Sequence, residues 1–472
     1  MTQTTIEIQV KIKEGISISP IESIPNSSFP VELANQLISD NLFKNPAYTY
    51  NAENGYSNWN TSKTIETFKI ENGVLSLPRG YLPQLIELFE EYDIEPNIED
   101  LRTEYFVSYS DLKDVTLRDY QHEAAMETFC ENEGVIVAPT GSGKTFIGLE
   151  IIRINFQRSL ILVHRSELAK QWESVIKERL GIIPGFIGEG RWEIGEQITV
   201  AMIQTLDSRQ EETKKLSDTF GLILCDEVHH APAYTCFQVI GKFSAMYRYG
   251  LSATISRRDG LEMMIYRAVG PVIAEISREE VEEIGATVPA IIQTIETGFD
   301  PGIVNSWGEY VDSLSVNANR NLIIVDLAQS EDSTLILCDR VGHAEQLSAM
   351  LTRRGVDHVL AHGKISKKDR DNLMERIGNS SLTVGTSSLL GEGLDIAHWS
   401  TLIMATPISS ETKLLQAIGR VVRSAPGKTS ALVYDLRDDC GLSGASFKKR
   451  KEIYRKHNIW VEFNENKKTA RG

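Results

Sequence analysis

Two short stretches concentrate the chain's chemically capable side chains: APTGSGKT at 138–145 and LILCDEVHHAPA at 222–233. The first follows an apolar run, GVIV, and opens an amphipathic stretch, KTFIGLEIIRINF (144–156), so it predicts a strand, a tight loop and a helix. Gly141 and Gly143 let the loop turn backbone N–H groups inward around phosphate oxygens. Pro139, Thr140 and Ser142 complete that cradle, and the helix N-terminus behind it favours an anion. Lys144 is placed for the β- and γ-phosphates and the Thr145 hydroxyl for Mg²⁺. Every position fits a phosphate-binding loop except the first, where Ala138 stands for glycine. The plainer alternative is a Gly/Ser-rich turn, which would not need the strand before it and the helix after it.

The second stretch puts two carboxylates and two imidazoles, Asp226, Glu227, His229 and His230, into five positions. A metal-hydrolase centre needs histidines that share a helical face, as in HExxH, and adjacent histidines do not. Beside a phosphate loop the pair reads differently. LILC is an apolar strand, and Asp226 stands at its C-terminal end, where α/β sheets hold their ligands. There it would hold Mg²⁺ while Glu227 polarises an attacking water.

Those groups need sheets to position them. Between 134 and 254, β-branched runs (134–140, 159–165, 197–205, 220–227) alternate with helical patterns such as SELAKQWESVIKERL (166–180). The alternation resumes after 330 with runs at 333–340, 356–362, 381–387, 400–407 and 430–436. Strand–helix alternation implies parallel sheets, so two successive α/β domains are expected over about 113–445, with 283–330 as the crossover. Residues 1–110 differ: they are turn-rich, with a hairpin signal at the N-G pair of TIETFKIENGVLSLP (64–78) and an amphipathic helix at 79–92. The expected fold is α/β: two tandem parallel-sheet domains with a small N-terminal α+β module.

Of 472 residues, 41% are hydrophobic and 24% charged, and no apolar run is long enough to cross a bilayer. Five scattered cysteines without a CxxC argue for a reducing compartment and against a zinc ribbon. The opening residues lack a signal-peptide pattern, so a cytoplasmic protein without a membrane partner is expected. A net charge of −16 does not favour polyanion binding, but it is unevenly spread. Residues 1–110 carry sixteen acidic against seven basic residues; residues 446–472 carry nine basic against three acidic.

With these elements in place, the chain resembles the superfamily 2 helicases of the DExH kind over most of 117–425. LRDYQ (117–121) resembles the adenine-recognition element, implying that Arg118 and Gln121 flank the base. VHRSEL (163–168) and IQTL (203–206) resemble two elements that grip a nucleic-acid backbone, implying contacts from Arg165 and Thr205. SAT (252–254) resembles the link between hydrolysis and strand movement and carries Ser252 and Thr254. LILCDRVGHAEQL (335–347), LAHGKISKKDR (360–370), TSSLLGEGLDI (386–396) and QAIGRVVR (416–423) resemble the second-lobe motifs. By this resemblance Arg420 and Arg423 are arginine fingers for the γ-phosphate, and Gly393 and Asp395 contact the nucleotide. Gln416 and His229 couple ATP to strand movement, and Arg340 and Thr386 touch nucleic-acid backbone. His230 is expected to pack locally.

DEVHH, SATISRRDG (252–260) and RSAPGK (423–428) are most similar to the XPB-like and UvsW-like DNA helicases, and 55–96 resembles the N-terminal module of the latter group. The resemblance implies ATP and Mg²⁺ as cofactors and forked or branched DNA as partner, in replication, recombination or repair, beside other proteins of those pathways. RNA as substrate, translocation without strand separation, an ATP switch without unwinding and a restriction motor are the alternatives. The implied organisation is an accessory module at 1–112, two tandem RecA-like parallel-sheet lobes at 113–285 and 286–445, and a basic C-terminal helix at 446–472. Two readings stay open. Tyr48, Tyr50, Tyr56 and Trp59 either fill the module's core or contact DNA. The basic helix either follows a nucleic-acid backbone or packs on the second lobe through Ile453, Tyr454 and Trp460.

Overall fold

The computed structural model describes residues 8–20, 29–228, 233–254, 260–362, 367–390, 396 and 398–462. It divides into two compact units: residues 1–138 with 143–276, and residues 139–142 with 277–472.

The first unit is built on an eight-stranded sheet. Its central order runs Ile198–Met202, Ser159–Val163, Leu222–Asp226, Tyr247–Ser252, Glu133–Val137, and every neighbouring pair among these is parallel. Such strands are covered on both faces and read as unbroken apolar runs: Leu160, Ile161, Leu162, Val163, Leu222, Ile223 and Leu224 are all buried. The helices expected at 144–156 and 166–180 form over Lys144–Asn155 and Ser166–Leu180. IQTL departs from the expected strand: the strand ends at Met202, and Ile203–Ser208 is a short helix that buries Ile203 and Leu206.

The N-terminal module belongs to this unit. Its five-stranded sheet, ordered Lys69–Glu71, Val74–Pro78, Gly15–Ser19, Gln9–Ile12, Asn97–Asp100, is covered by the helices Val31–Asp40 and Leu82–Glu91. The N-G hairpin forms, with Asn72 (φ 50°) and Gly73 (φ 73°) both left-handed as a two-residue turn requires. The helix expected at 79–92 instead opens with a 3₁₀ turn, Arg79–Tyr81, before Pro83 sets its first α turn. That turn docks the module: a Cβ on Gly80 would lie 1.9 Å from the Tyr266 carbonyl oxygen, so only glycine permits the approach.

Three of the insert's four aromatics contradict a core role, while Tyr48 is half-buried. Tyr50, Tyr56 and Trp59 are 60%, 61% and 92% exposed, and the two tyrosine rings stack 6.2 Å apart. The small helix Pro46–Glu53 buries nothing, because its apolar residues are not spaced to share one face.

The second unit has seven strands, all parallel, in the order Val359–Ala361, Leu382–Thr386, Thr334–Cys338, Thr401–Met404, Ala431–Arg437, Ala290–Glu296, Trp460–Glu462. The stretch expected as a crossover thus holds one of its strands, 290–296, and two helices, Trp307–Val316 and Ala318–Gln329.

The basic tail is also more integrated than expected. Its helix runs Gly441–Lys456 and buries Phe447, Ile453 and Tyr454, and the chain then adds an edge strand. Arg450, counted among the basic residues, is buried with both ends of its guanidinium on Asp435, at 2.9 and 2.8 Å. Of the three residues in the packing alternative, Ile453 and Tyr454 are buried, whereas Trp460 is 68% exposed.

Candidate functional site

The strands Glu133–Val137 and Leu222–Asp226 flank Tyr247–Ser252, so the phosphate loop, the acidic pair and SAT emerge together at the C-terminal edge of one sheet. Gly141 (φ 90°) and Gly143 (φ 81°) are left-handed, the conformation that lets the loop turn into the helix. The Ala138 amide donates to the Ser252 carbonyl at 2.8 Å, which ties the root of the loop to SAT. Gln121 is buried against the loop: a Cβ on Gly143 would meet its Nε2 at 2.4 Å. Its Oε1 accepts the Arg118 amide at 3.0 Å, so the expected base-recognition pair is locked to the phosphate cradle. The hydroxyl of Tyr120 accepts from Arg118 Nη1 at 3.2 Å.

Lys144 Nζ donates to the Ala138 carbonyl at 3.2 Å and stands 3.5 Å from Glu227 Oε1. Glu227 itself adopts φ 49°, a left-handed conformation that costs a side-chain-bearing residue energy. Its carboxylate is turned toward Lys144 while Val228 is driven into the core, where its amide donates to Leu251 O at 3.1 Å. Asp226 is buried, and Trp172 Nε1 donates to its Oδ2 at 2.8 Å. Burial pushes the Asp226 carboxyl up to about 6, and the charge of Glu227 adds to the rise. The Trp172 hydrogen bond, Lys144 and His164 oppose it.

Two adjacent carboxylates with one lysine leave negative charge in excess, and their donors are hard oxygens. That chemistry fits Mg²⁺, with Asp226 and the Thr145 hydroxyl as the residues that would hold it. Ser252 is fully buried with its hydroxyl on the Thr254 carbonyl, so SAT is held by its own turn.

Among the nucleic-acid candidates, Arg165 caps the Ser166–Leu180 helix and Thr205 is half-buried in the short helix after Met202. In the second unit Arg340 forms an exposed ion pair with Asp312 at 3.0 Å, and Thr386 is buried with its hydroxyl 3.1 Å from Ser388.

Gln416 and Arg420 lie buried on the helix Glu411–Val421. Arg423 follows it, bridged to Thr287, and burial pushes its guanidinium down to about 10. Burial and then the charge of Arg423 push Lys428 down to about 8. Partly buried positive charges crowded in this way favour an anion. His229, His230, Gly393 and Asp395 lie outside the described residues.

Sequence reasoning missed Trp172. It sits at an apolar position of an amphipathic helix, and the available signal was that a buried indole N–H needs an acceptor.

Two family models match the chain. One described as "Type III restriction enzyme, res subunit" covers residues 114–257, and one described as "Helicase conserved C-terminal domain" covers 316–425. Similar proteins include "Probable helicase D10" of Escherichia phage T5, 28% identical over 70% of this chain and 73% of that protein. "DNA 3'-5' translocase XPB2" of Sulfurisphaera tokodaii is 37% identical over 41% of this chain and 42% of its own length. "ATP-dependent DNA helicase uvsW" of Enterobacteria phage T4 is 22% identical over 87% of this chain and 88% of its own.

Proposed function

Since this chain belongs to the superfamily 2 helicases, an ATP hydrolase coupled to movement on DNA, we propose that it is a DExH motor that remodels forked or branched DNA in replication, recombination or repair. The observation that carries this reading is the extent of the T4 relationship. An alignment over 87% of the chain cannot fit between residue 114 and the C-terminus, so it takes in part of the N-terminal module as well as the motor.

In this reading Arg118 and Gln121 receive the adenine, and the loop Pro139–Gly143 with Lys144 receives the phosphates. When bound, Mg²⁺ would neutralise phosphate charge. Asp226 and Thr145 hold its position, Glu227 accepts a proton from the attacking water, and Arg420 and Arg423 stabilise charge developing on the γ-phosphate. The Ala138–Ser252 hydrogen bond supports SAT as the route by which the state of the loop reaches the strand-gripping residues. His229 and Gln416 are proposed as partners in that coupling, with Gly393 and Asp395 on the nucleotide and Arg165, Thr205, Arg340 and Thr386 on the DNA backbone.

The direct test is conversion of a synthetic replication fork or four-way junction, followed on native gels. ATP-dependent conversion of these substrates, faster than unwinding of a simple tailed duplex, is expected. Equal rates on all three would reduce the activity to general unwinding. In the same assay Arg423→Ala should retain ATP binding and lose hydrolysis by about 10³-fold, the low end for an arginine finger.

A further inference from the structure

At the other end of the first sheet, between the N-terminal module and the motor, lies a cavity of about 360 Å³. Its walls carry five cationic side chains, Lys69, Arg79, Lys242, Arg248 and Arg267, against two carboxylates, Glu14 and Glu66. The carboxylates do not balance the cations. Glu14 already accepts from Ser217 at 2.8 Å and pairs with Lys13, and Glu66 is exposed.

Arg79 is fully engaged, by Glu133 at 2.5 Å and by the carbonyls of Lys13, Ala245 and Met246. The others are not. Arg248 donates through Nη2 to Glu14 O and Phe243 O, and Arg267 donates through Nη2 to Asp40 O while stacking 4.2 Å over Tyr81. Among the described residues, Arg248 Nε, Arg267 Nε and Nη1, and Lys242 Nζ are buried without a hydrogen-bond partner. Arg248 and Arg267 are 1% and 4% exposed. Burying guanidinium donors without acceptors is costly, and a fold normally supplies one or leaves room for one. Here there is room. Burial, joined at Arg248 by the charges of Arg79 and Arg102, pushes Arg248, Arg267 and Lys242 below their usual ranges despite the carboxylates nearby, the direction an incoming anion would reverse.

The cavity exceeds what an inorganic anion fills, and Phe68, Leu77, Pro78 and Phe237 line the remainder. Small-ligand sites have this make-up, a largely apolar wall with a few converging polar groups.

We propose that this cavity binds a phosphate monoester of mononucleotide size, with its phosphate on Arg248, Arg267 and Lys242 and its flat body against Phe68 and Phe237. Guanidinium forks match phosphate oxygens in pairs, which favours phosphate over a simpler anion. The ligand is either a free nucleotide or the terminal nucleotide of a 5'-phosphorylated strand. The site is separate from the ATP cradle. Arg248 is the second residue of the strand that Ser252 closes, roughly 13 Å away at the usual rise per residue.

The test uses the full chain with its ATP site filled by ADP–beryllium fluoride and Mg²⁺, and thymidine 5'-monophosphate as the calorimetric probe. One further equivalent should bind, more tightly than inorganic phosphate. Lys242→Ala and Arg267→Gln should each weaken it by at least about tenfold, the loss of one charge-assisted hydrogen bond. Lys242→Ala lies at the half-exposed margin and should leave ATP turnover unchanged, which guards against misfolding as the cause. Displacement of the probe by a 5'-phosphorylated oligonucleotide, but not by its 5'-hydroxyl form, would identify a strand end as the ligand; no displacement by either would identify a free nucleotide. No binding at millimolar probe, binding no tighter than phosphate, or binding undiminished in both variants would overturn the proposal.

Discussion

At the C-terminal edge of the first sheet, Asp226 and Glu227 face a single lysine, and the carboxyl of Asp226 is raised to about 6. At the N-terminal edge of neighbouring strands the imbalance is reversed. Arg79 and Arg102 share Glu133, and Arg248 is buried beside them. Both edges bury charge at a cost, but the costs are resolved differently. The first keeps its excess for ligands that arrive and leave. The second is closed at Arg79 by protein: Arg79 reaches from the module to three acceptors on the motor, Glu133, Ala245 and Met246, and clamps it to the strands that lead to the phosphate loop and to SAT. One edge is built for turnover and the other for attachment, and variants at the two should separate accordingly.

The sharpest separation is expected from Lys144→Ala. It should lower ATP turnover and unwinding together by about 10³-fold or more, as loss of a phosphate clamp does, with thermal stability unchanged. Loss of stability instead would place Lys144 with the structural charges. Arg79→Met should behave in the opposite way, costing about 3–5 kcal/mol in denaturant unfolding, because largely buried Glu133 is left with only Arg102, at 3.5 Å, and the carbonyls of Lys13, Ala245 and Met246 lose their donor. Its KM for ATP should hold under stabilising conditions. A changed KM with unchanged stability would merge the two edges.

The smallest effect is the most specific. Trp172→Phe removes the hydrogen bond that holds Asp226 down, so its carboxyl rises further. A protonated carboxyl holds Mg²⁺ poorly, and activity is therefore lost as pH falls through the carboxyl's range. With Mg²⁺ limiting, the acid limb of the ATPase profile should move to higher pH, and turnover near pH 6 should drop about tenfold. An unmoved limb would mean that the indole serves packing alone.

Much of the turnover edge was legible in the sequence, because a strand, a Gly-rich loop and a helix are consecutive and their spacing is the signal. The helix Ser166–Leu180 was legible to its last residue from apolar periodicity, and the structure ends it at Gly181 in the left-handed conformation. The attachment edge was not. Arg79 and Glu133 are 54 residues apart, Arg79 and Ala245 are 166 apart, and no periodicity links them. Arg450 was hidden for the same reason: in sequence it is one of a run of bases, while in the fold it is the one turned inward to Asp435. Trp172 read as core, which it is, but periodicity cannot show what its N–H touches. The exposed rings at Tyr50, Tyr56 and Trp59 show the converse, since aromatic type alone does not decide burial.

The account rests on ATP hydrolysis driven by branched DNA. The measurement that bears on it most directly is steady-state ATP turnover of the full chain on single strands, duplexes, forks and four-way junctions, each as DNA and as RNA. The account predicts strong stimulation by forked and four-way DNA, weaker stimulation by simple duplex, and little by any RNA. Stimulation by RNA with none by DNA would contradict it.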